Sequence, residues 1–107
     1  METDMQDDVR KRIDELVQSN RVMLFMKGNK AFPACGFSAQ VVQILKHHNA
    51  TFETFNILSD PEMRNSVKEY SEWPTFPQLY VNGEFVGGCD IVTDLHNTGE
   101  LEKVLGS

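Results

Sequence analysis

At 107 residues the chain is long enough for one hydrophobic core and too short for two ordinary domains. Apolar residues at 40% and charged residues at 24% match soluble globular proteins and exclude a disordered or fibrous chain. A formal net charge of -6 with no Lys/Arg cluster argues against nucleic acid, and no apolar run is long enough to span a bilayer, which argues against a membrane partner.

In chain order, Thr3 and Gln6 form a capping-box pair, and Val9, Ile13, Leu16 and Val17 recur at helical spacing, predicting a first helix to about Ser19. Val22-Met23-Leu24-Phe25-Met26 is a continuous apolar run and predicts a central strand buried on both faces. Gly28 to Ala34 is a loop carrying Pro33. Val41, Ile44 and Leu45 then place a second helix that starts beside Cys35 and ends near His48-Asn49. Phe52, Phe55 and Ile57 predict a second strand. Ser59-Asp60-Pro61-Glu62 starts a third helix, with Met63, Val67 and Tyr70 on its inner side.

Trp73-Pro74-Thr75-Phe76-Pro77 is incompatible with helix. Gln78 to Val81, Asn82-Gly83 and Glu84 to Val86 predict a hairpin closed by a type I′ turn. Gly87-Gly88-Cys89-Asp90 breaks the strand, and Ile91 to Leu105, interrupted at Gly99, supplies one or two closing helices. A parallel βαβ half joined to a ββα half predicts an α/β thioredoxin fold: a four-stranded mixed sheet with helices on both faces, in one domain over residues 1–107.

The two cysteines, Cys35 and Cys89, are too few for the disulfide framework of a small secreted domain, and the amino terminus Met1-Glu2-Thr3-Asp4 is acidic. The expected compartment is the cytoplasm, or a mitochondrial matrix or plastid stroma for a processed protein. A structural Cys35–Cys89 disulfide is the plain alternative.

Cys35 falls between a loop and the first turn of a helix, where unpaired backbone N–H groups and the positive end of the helix dipole favour a thiolate. Lys27, at the end of the preceding strand, is a candidate positive neighbour. The competing reading makes Cys35 a small buried hydrophobe, but Pro33-Ala34 and Gly36 are not the flanks of an apolar periodic run. Ser38 stands where a dithiol site would carry its second cysteine, and a hydroxyl takes no part in thiol–disulfide exchange.

Lys27-Gly28, Pro33-Ala34-Cys35-Gly36-Phe37-Ser38, Trp73-Pro74-Thr75-Phe76-Pro77-Gln78 and Gly87-Gly88-Cys89-Asp90 together resemble the signature blocks of the CGFS-type monothiol glutaredoxins over essentially the whole chain. The resemblance implies a glutathione groove formed by Lys27, Cys35, Gly36, Phe37, Arg64, Thr75, Phe76, Pro77, Gly88, Cys89 and Asp90. Lys27 and Arg64 suit the glycyl carboxylate, Arg64 with a forked donor. Asp90 suits the γ-glutamyl ammonium, and backbone N–H groups around Cys89-Asp90 its carboxylate. It also implies a cis bond before Pro77 that leaves the Phe76 backbone to pair with glutathione. The plain alternatives are solvated surface cations for Lys27 and Arg64, a helix N-cap for Asp90 and packing for Trp73.

The family further implies a [2Fe-2S] cluster with Cys35 as the metal ligand. Such a cluster takes about four ligands, ordinarily thiolates; two protomers and two glutathiones close that count in a homodimer. The function so implied is cluster storage and transfer to apo acceptor proteins in iron homeostasis, with BolA-like proteins as further partners and a carrier favoured over an enzyme. The rival is a glutathione-dependent oxidoreductase that uses Cys35 on protein–glutathione mixed disulfides, and the Gly28 to Phe32 loop is a feature the family associates with carriers. Cys89 is an alternative ligand, a resolving thiol or an inert neighbour of the groove. His47 and His48, adjacent on a helix, are expected to point apart at a surface helix end and to make no zinc pair.

Overall fold

The computed structural model describes residues 5–106, with side chains from residue 8 onward, so the capping pair expected at Thr3 and Gln6 falls outside the described residues. Helix α1 (Met5–Ser19) buries Ile13 and Val17 completely and leads into strand β1 (Val22–Met26). β1 pairs in parallel with β2 (Glu53–Asn56), Phe25 opposite Phe55, and antiparallel with β3 (Gln78–Val81), Leu24 opposite Leu79. Strand β4 (Glu84–Gly87) completes the order β2-β1-β3-β4.

All five residues of β1 are buried, as a strand covered on both faces requires. Alternation divides them. Val22, Leu24 and Met26 pack against α2 (Gly36–His47), α4 (Cys89–Thr98) and α5 (Glu100–Leu105) through Val41, Val42, Leu45, Val92 and Leu101. Met23 and Phe25 meet Ile13 and Val17 of α1 and Met63 and Val67 of α3 (Pro61–Ser71) on the other side. Each large side chain so buried contributes about 1.5–3 kcal/mol. The mixed sheet covered on both faces is the thioredoxin fold expected from the sequence.

α3 begins as its sequence dictates: the Asp60 carboxylate accepts the Met63 N–H at 3.1 Å, and Pro61 takes the first helical position. The turn Asn82-Gly83 has φ of 53° and 82°, as type I′ demands.

Several boundaries and two placements depart from expectation. β2 stops at Asn56 because the Asn56 side chain accepts the Leu58 N–H at 3.0 Å and starts a 3-10 turn, Ile57–Ser59. Phe52 and Ile57 are buried just outside the strand, one in each core. β4 runs one residue further, to Gly87, and α4 starts at Cys89 rather than Ile91. Gly88 is the N-cap of α4, with no side-chain cap bond, so Asp90 is a first-turn residue and not the cap. Finally, His48 is the C-cap of α2 and has left helical geometry; its ring and that of His47 are 5.6 Å apart, and both lie against His96.

Candidate functional site

Cys35 is the N-cap of α2, in extended backbone, and its sulfur accepts the Ser38 N–H at 3.4 Å. The Ser38 hydroxyl, completely buried, is 3.4 Å from the same sulfur and accepts the Lys27 backbone N–H at 3.1 Å. That oxygen is engaged as an acceptor, which leaves its proton free to point at Cys35. Burial pushes the Cys35 thiol up, but the Ser38 hydroxyl, the Ser38 and Phe37 backbone N–H groups and the Lys27 charge outweigh it and hold the group below the ordinary thiol range. Both cysteines are free thiols; Cys89 Sγ lies 3.9 Å from the Thr93 hydroxyl.

The loop before Cys35 is held from several sides. Gly28 has φ of 89°, and a Cβ there would stand 2.4 Å from the Ala34 nitrogen and 2.6 Å from the Phe32 oxygen. Ala34 N–H donates to the Lys27 carbonyl at 2.8 Å, and the Asn29 side chain accepts the Ala31 and Phe32 N–H groups at 3.0 and 2.8 Å. Asn56 accepts the Gly28 N–H at 3.0 Å, tying the loop to the end of β2. Lys30 donates to the Phe52 carbonyl and its ammonium sits 4.4 Å from the centre of the Phe52 ring. Phe32, at the tip, is 79% exposed.

Beside Cys35 lies a groove of about 390 Å³. Of the residues expected to form it, Lys27, Phe37, Arg64, Thr75, Phe76, Gly88, Cys89 and Asp90 are in its lining; Cys35, Gly36 and Pro77 are not. Cys35 stands next to the groove, between Lys27 and Phe37, whose charge and N–H act on its sulfur. Gly36 is exposed and Pro77 is buried behind the wall. The Phe76–Pro77 bond is cis, as the resemblance implied. Gln78, fully buried, donates to the Trp73 and Thr75 carbonyls at 3.0 and 3.1 Å and fixes the segment between them.

Gly88 is where two walls touch: a Cβ on it would be 3.2 Å from the Pro77 carbonyl and 3.4 Å from the Trp73 indole nitrogen. With no side chain capping α4, the N–H groups of its first turn face the region of Gly88, Cys89 and Asp90 unsatisfied by a cap. Trp73 does what packing predicts, its ring 5.7 Å from that of Phe85, and also lines the groove. Sequence reasoning missed Lys68, which lines the groove one turn after Arg64; spacing of four on α3 was the available signal. Three cations therefore face the groove of a protein whose net charge is -6.

Among the described residues no group of three or more His, Cys, Asp or Glu side chains is arranged to hold a metal ion. No helix among them is long and apolar enough to cross a membrane.

A β2-β1-β3-β4 sheet with a thiol at the start of α2, held below the ordinary thiol range, and a cis bond before Pro77 defines a thioredoxin-fold protein of the glutaredoxin class. The glutaredoxin family model matches residues 22–86. An uncharacterized monothiol glutaredoxin ycf64-like protein of Synechocystis sp. is 55% identical over 101 residues, 94% of each chain. The solution structure of reduced poplar apo GrxS14 is 56% identical, with a TM-score of 0.80 over 89% of this chain and 87% of that one. The holo form of glutaredoxin C1 from Populus tremula x tremuloides is 25% identical, with a TM-score of 0.84 over 94% of this chain and 88% of that one. The chain belongs to the monothiol glutaredoxins.

Proposed function

We propose that this protein is one glutaredoxin domain that binds glutathione in the groove beside Cys35 and carries a glutathione-ligated [2Fe-2S] cluster as cargo in a homodimer. The observation that supports it above the rest is the pairing of a thiolate-favouring Cys35 with a buried serine at position 38. Lys27 and Arg64 bind the glycyl carboxylate. The first turn of α4 and Asp90 take the γ-glutamyl end, and the Phe76 backbone pairs with the peptide.

The donor set fits the cluster only in part within one chain. Cys35 supplies a thiolate, and the described residues hold no set of three or more ligands that would complete the site alone. The partner's Cys35 and two glutathiones supply the remaining sulfurs. When bound, the cluster supplies iron and sulfide for delivery to apo acceptor proteins; exchangeable glutathione ligands suit delivery better than permanent electron storage. BolA-like proteins are further partners. The working compartment is the cytoplasm, or a matrix or stroma.

Anaerobic reconstitution with iron, sulfide and glutathione is expected to give a coloured dimer, and Cys35→Ser a colourless monomer. Cluster bound normally by Cys35→Ser overturns the reading.

The lowered Cys35 thiol supports one rival. Its thiolate attacks the glutathionyl sulfur of a mixed disulfide and releases the protein thiolate; a second glutathione then attacks Cys35–S–SG, leaving oxidised glutathione and the free Cys35 thiolate. Rapid turnover of a glutathionylated substrate by the apo protein favours this enzyme over the carrier.

A further inference from the structure

At the C-terminal ends of α2 and α4, the ends away from Cys35 and Cys89, the three histidines of the chain come together. His48, the C-cap of α2, places Nε2 3.0 Å from Nδ1 of His96 in the last turn of α4. Their ring centres are 5.1 Å apart, and the His47 ring is 5.3 Å from that of His96. We infer that His48 and His96 form a binding site for a transition-metal ion of the class that takes imidazole ligands: zinc, copper(II) or nickel(II).

Geometry carries the inference. Two imidazole nitrogens each about 2.0–2.1 Å from one ion stand about 2.9–3.4 Å apart for ligand angles between square and tetrahedral. The two nitrogens are joined by a hydrogen bond of 3.0 Å, and that separation also lies inside the window an ion would take once the shared proton moves to a ring's other nitrogen. The pair joins two helices from distant parts of the chain, so neither ring owes its position to sequence adjacency.

The surroundings are compatible with a cation. Beside His48 is a shallow cavity of about 450 Å³ lined also by Glu102 and Arg21. Glu102 adds negative charge next to His48. The Arg21 guanidinium is occupied by the Leu105 carbonyl at the end of α5. With fewer than three converging side chains, the site is a two-imidazole chelate whose other positions water fills. Ligation needs His48 as the Nδ1–H tautomer and His96 as the Nε2–H tautomer, a rearrangement of the neutral pair that releases no net proton.

The site is separate from the groove: the 12 residues of α2 place about 18 Å between Cys35 and the histidines. An ion there ties the far ends of α2 and α4, the two helices whose near ends carry Cys35 and Cys89.

The test is a zinc titration of the full chain with both thiols capped by iodoacetamide, followed through the imidazole nitrogen resonances. His48 Nε2 and His96 Nδ1 are expected to shift together and saturate at one zinc per chain. His48→Gln and His96→Gln should each weaken binding by about tenfold or more, and His47→Gln should leave it. Nitrogens of His48 and His96 that stay unmoved, binding that survives both substitutions, or loss confined to His47→Gln overturns the assignment. Because the nitrogen readout is made on the unsubstituted chain, it decides the matter even if a variant fails to fold.

Discussion

The Ser38 hydroxyl is bound on one side to the Lys27 backbone N–H at 3.1 Å and faces the Cys35 sulfur at 3.4 Å on the other. The residue that makes this a one-thiol site is therefore also the one that ties the end of β1 to its sulfur. Its chemistry sets the first expectation.

Ser38→Ala removes the hydroxyl from the thiolate and leaves the Lys27 N–H without its acceptor. The Cys35 pKa is expected to rise, because the largest of the influences that lower it is lost while burial remains. In a pH series of alkylation rates, the wild-type profile has its midpoint below that of an ordinary thiol, and the variant's midpoint lies higher. Stability should fall by about 1–3 kcal/mol for the orphaned donor. An unchanged midpoint would remove Ser38 from the account of reactivity.

Arg64 is exposed on α3 and lines the groove, so its loss should affect binding and not folding. Arg64→Ala is expected to weaken glutathione about tenfold or more, the cost of a charge-assisted bond at about 1.5–3 kcal/mol. Arg64→Lys keeps the charge but not the fork and should fall between the two. Calorimetric titration with glutathione reads the affinities, and an unchanged thermal midpoint confirms that the fold is intact.

Gly28→Ala is expected to cost about 3 kcal/mol or more. The positive φ is unfavourable for any other residue, and the new carbon would collide with the backbone of Phe32, Pro33 and Ala34 rather than with a side chain able to turn away. Urea denaturation measures the loss. A variant as stable as the parent would show that the loop is looser than its hydrogen bonds indicate.

Tyr80 gives an expectation at alkaline pH. Its ring is buried, its hydroxyl makes no hydrogen bond of ordinary geometry, and burial, opposed by the nearby Ser71 hydroxyl, pushes its pKa up to about 12 from 10.0. A folded value above the unfolded one means that the neutral phenol favours the native state fully below pH 10, and that this contribution is lost as pH rises toward about 12. Tyr80→Phe should be neutral or stabilising by about 1 kcal/mol at pH 7 and should flatten the alkaline limb of a stability profile.

What the sequence revealed and what it hid divide along a physical line. β1 was legible because five consecutive apolar residues have few uses other than a strand covered twice, and α3 because Asp60-Pro61 fixes a helix start locally. Cys35 as a helix-start thiol followed from its flanks in the same way. The end of β2 was not legible: it depends on the Asn56 side chain choosing Leu58 and Gly28 as donors, which periodicity does not report. Lys68 was overlooked because one cation on an exposed face reads as solvation until the groove is seen. The meeting of His48 with His96 depends on how α2 and α4 pack, a relationship between residues 48 positions apart.

Strand β1 pairs with a strand on each side, Met23, Leu24 and Phe25 with both, and all five of its residues are buried. In native-state hydrogen exchange such amides are the last to open, and they do so only with the whole molecule. Lys27, the next residue, hands its N–H to Ser38, so the thiol's support hangs from the slowest-exchanging segment. Fraying of α5 or breathing of the exposed loop around Phe32 can then proceed without loosening the sulfur.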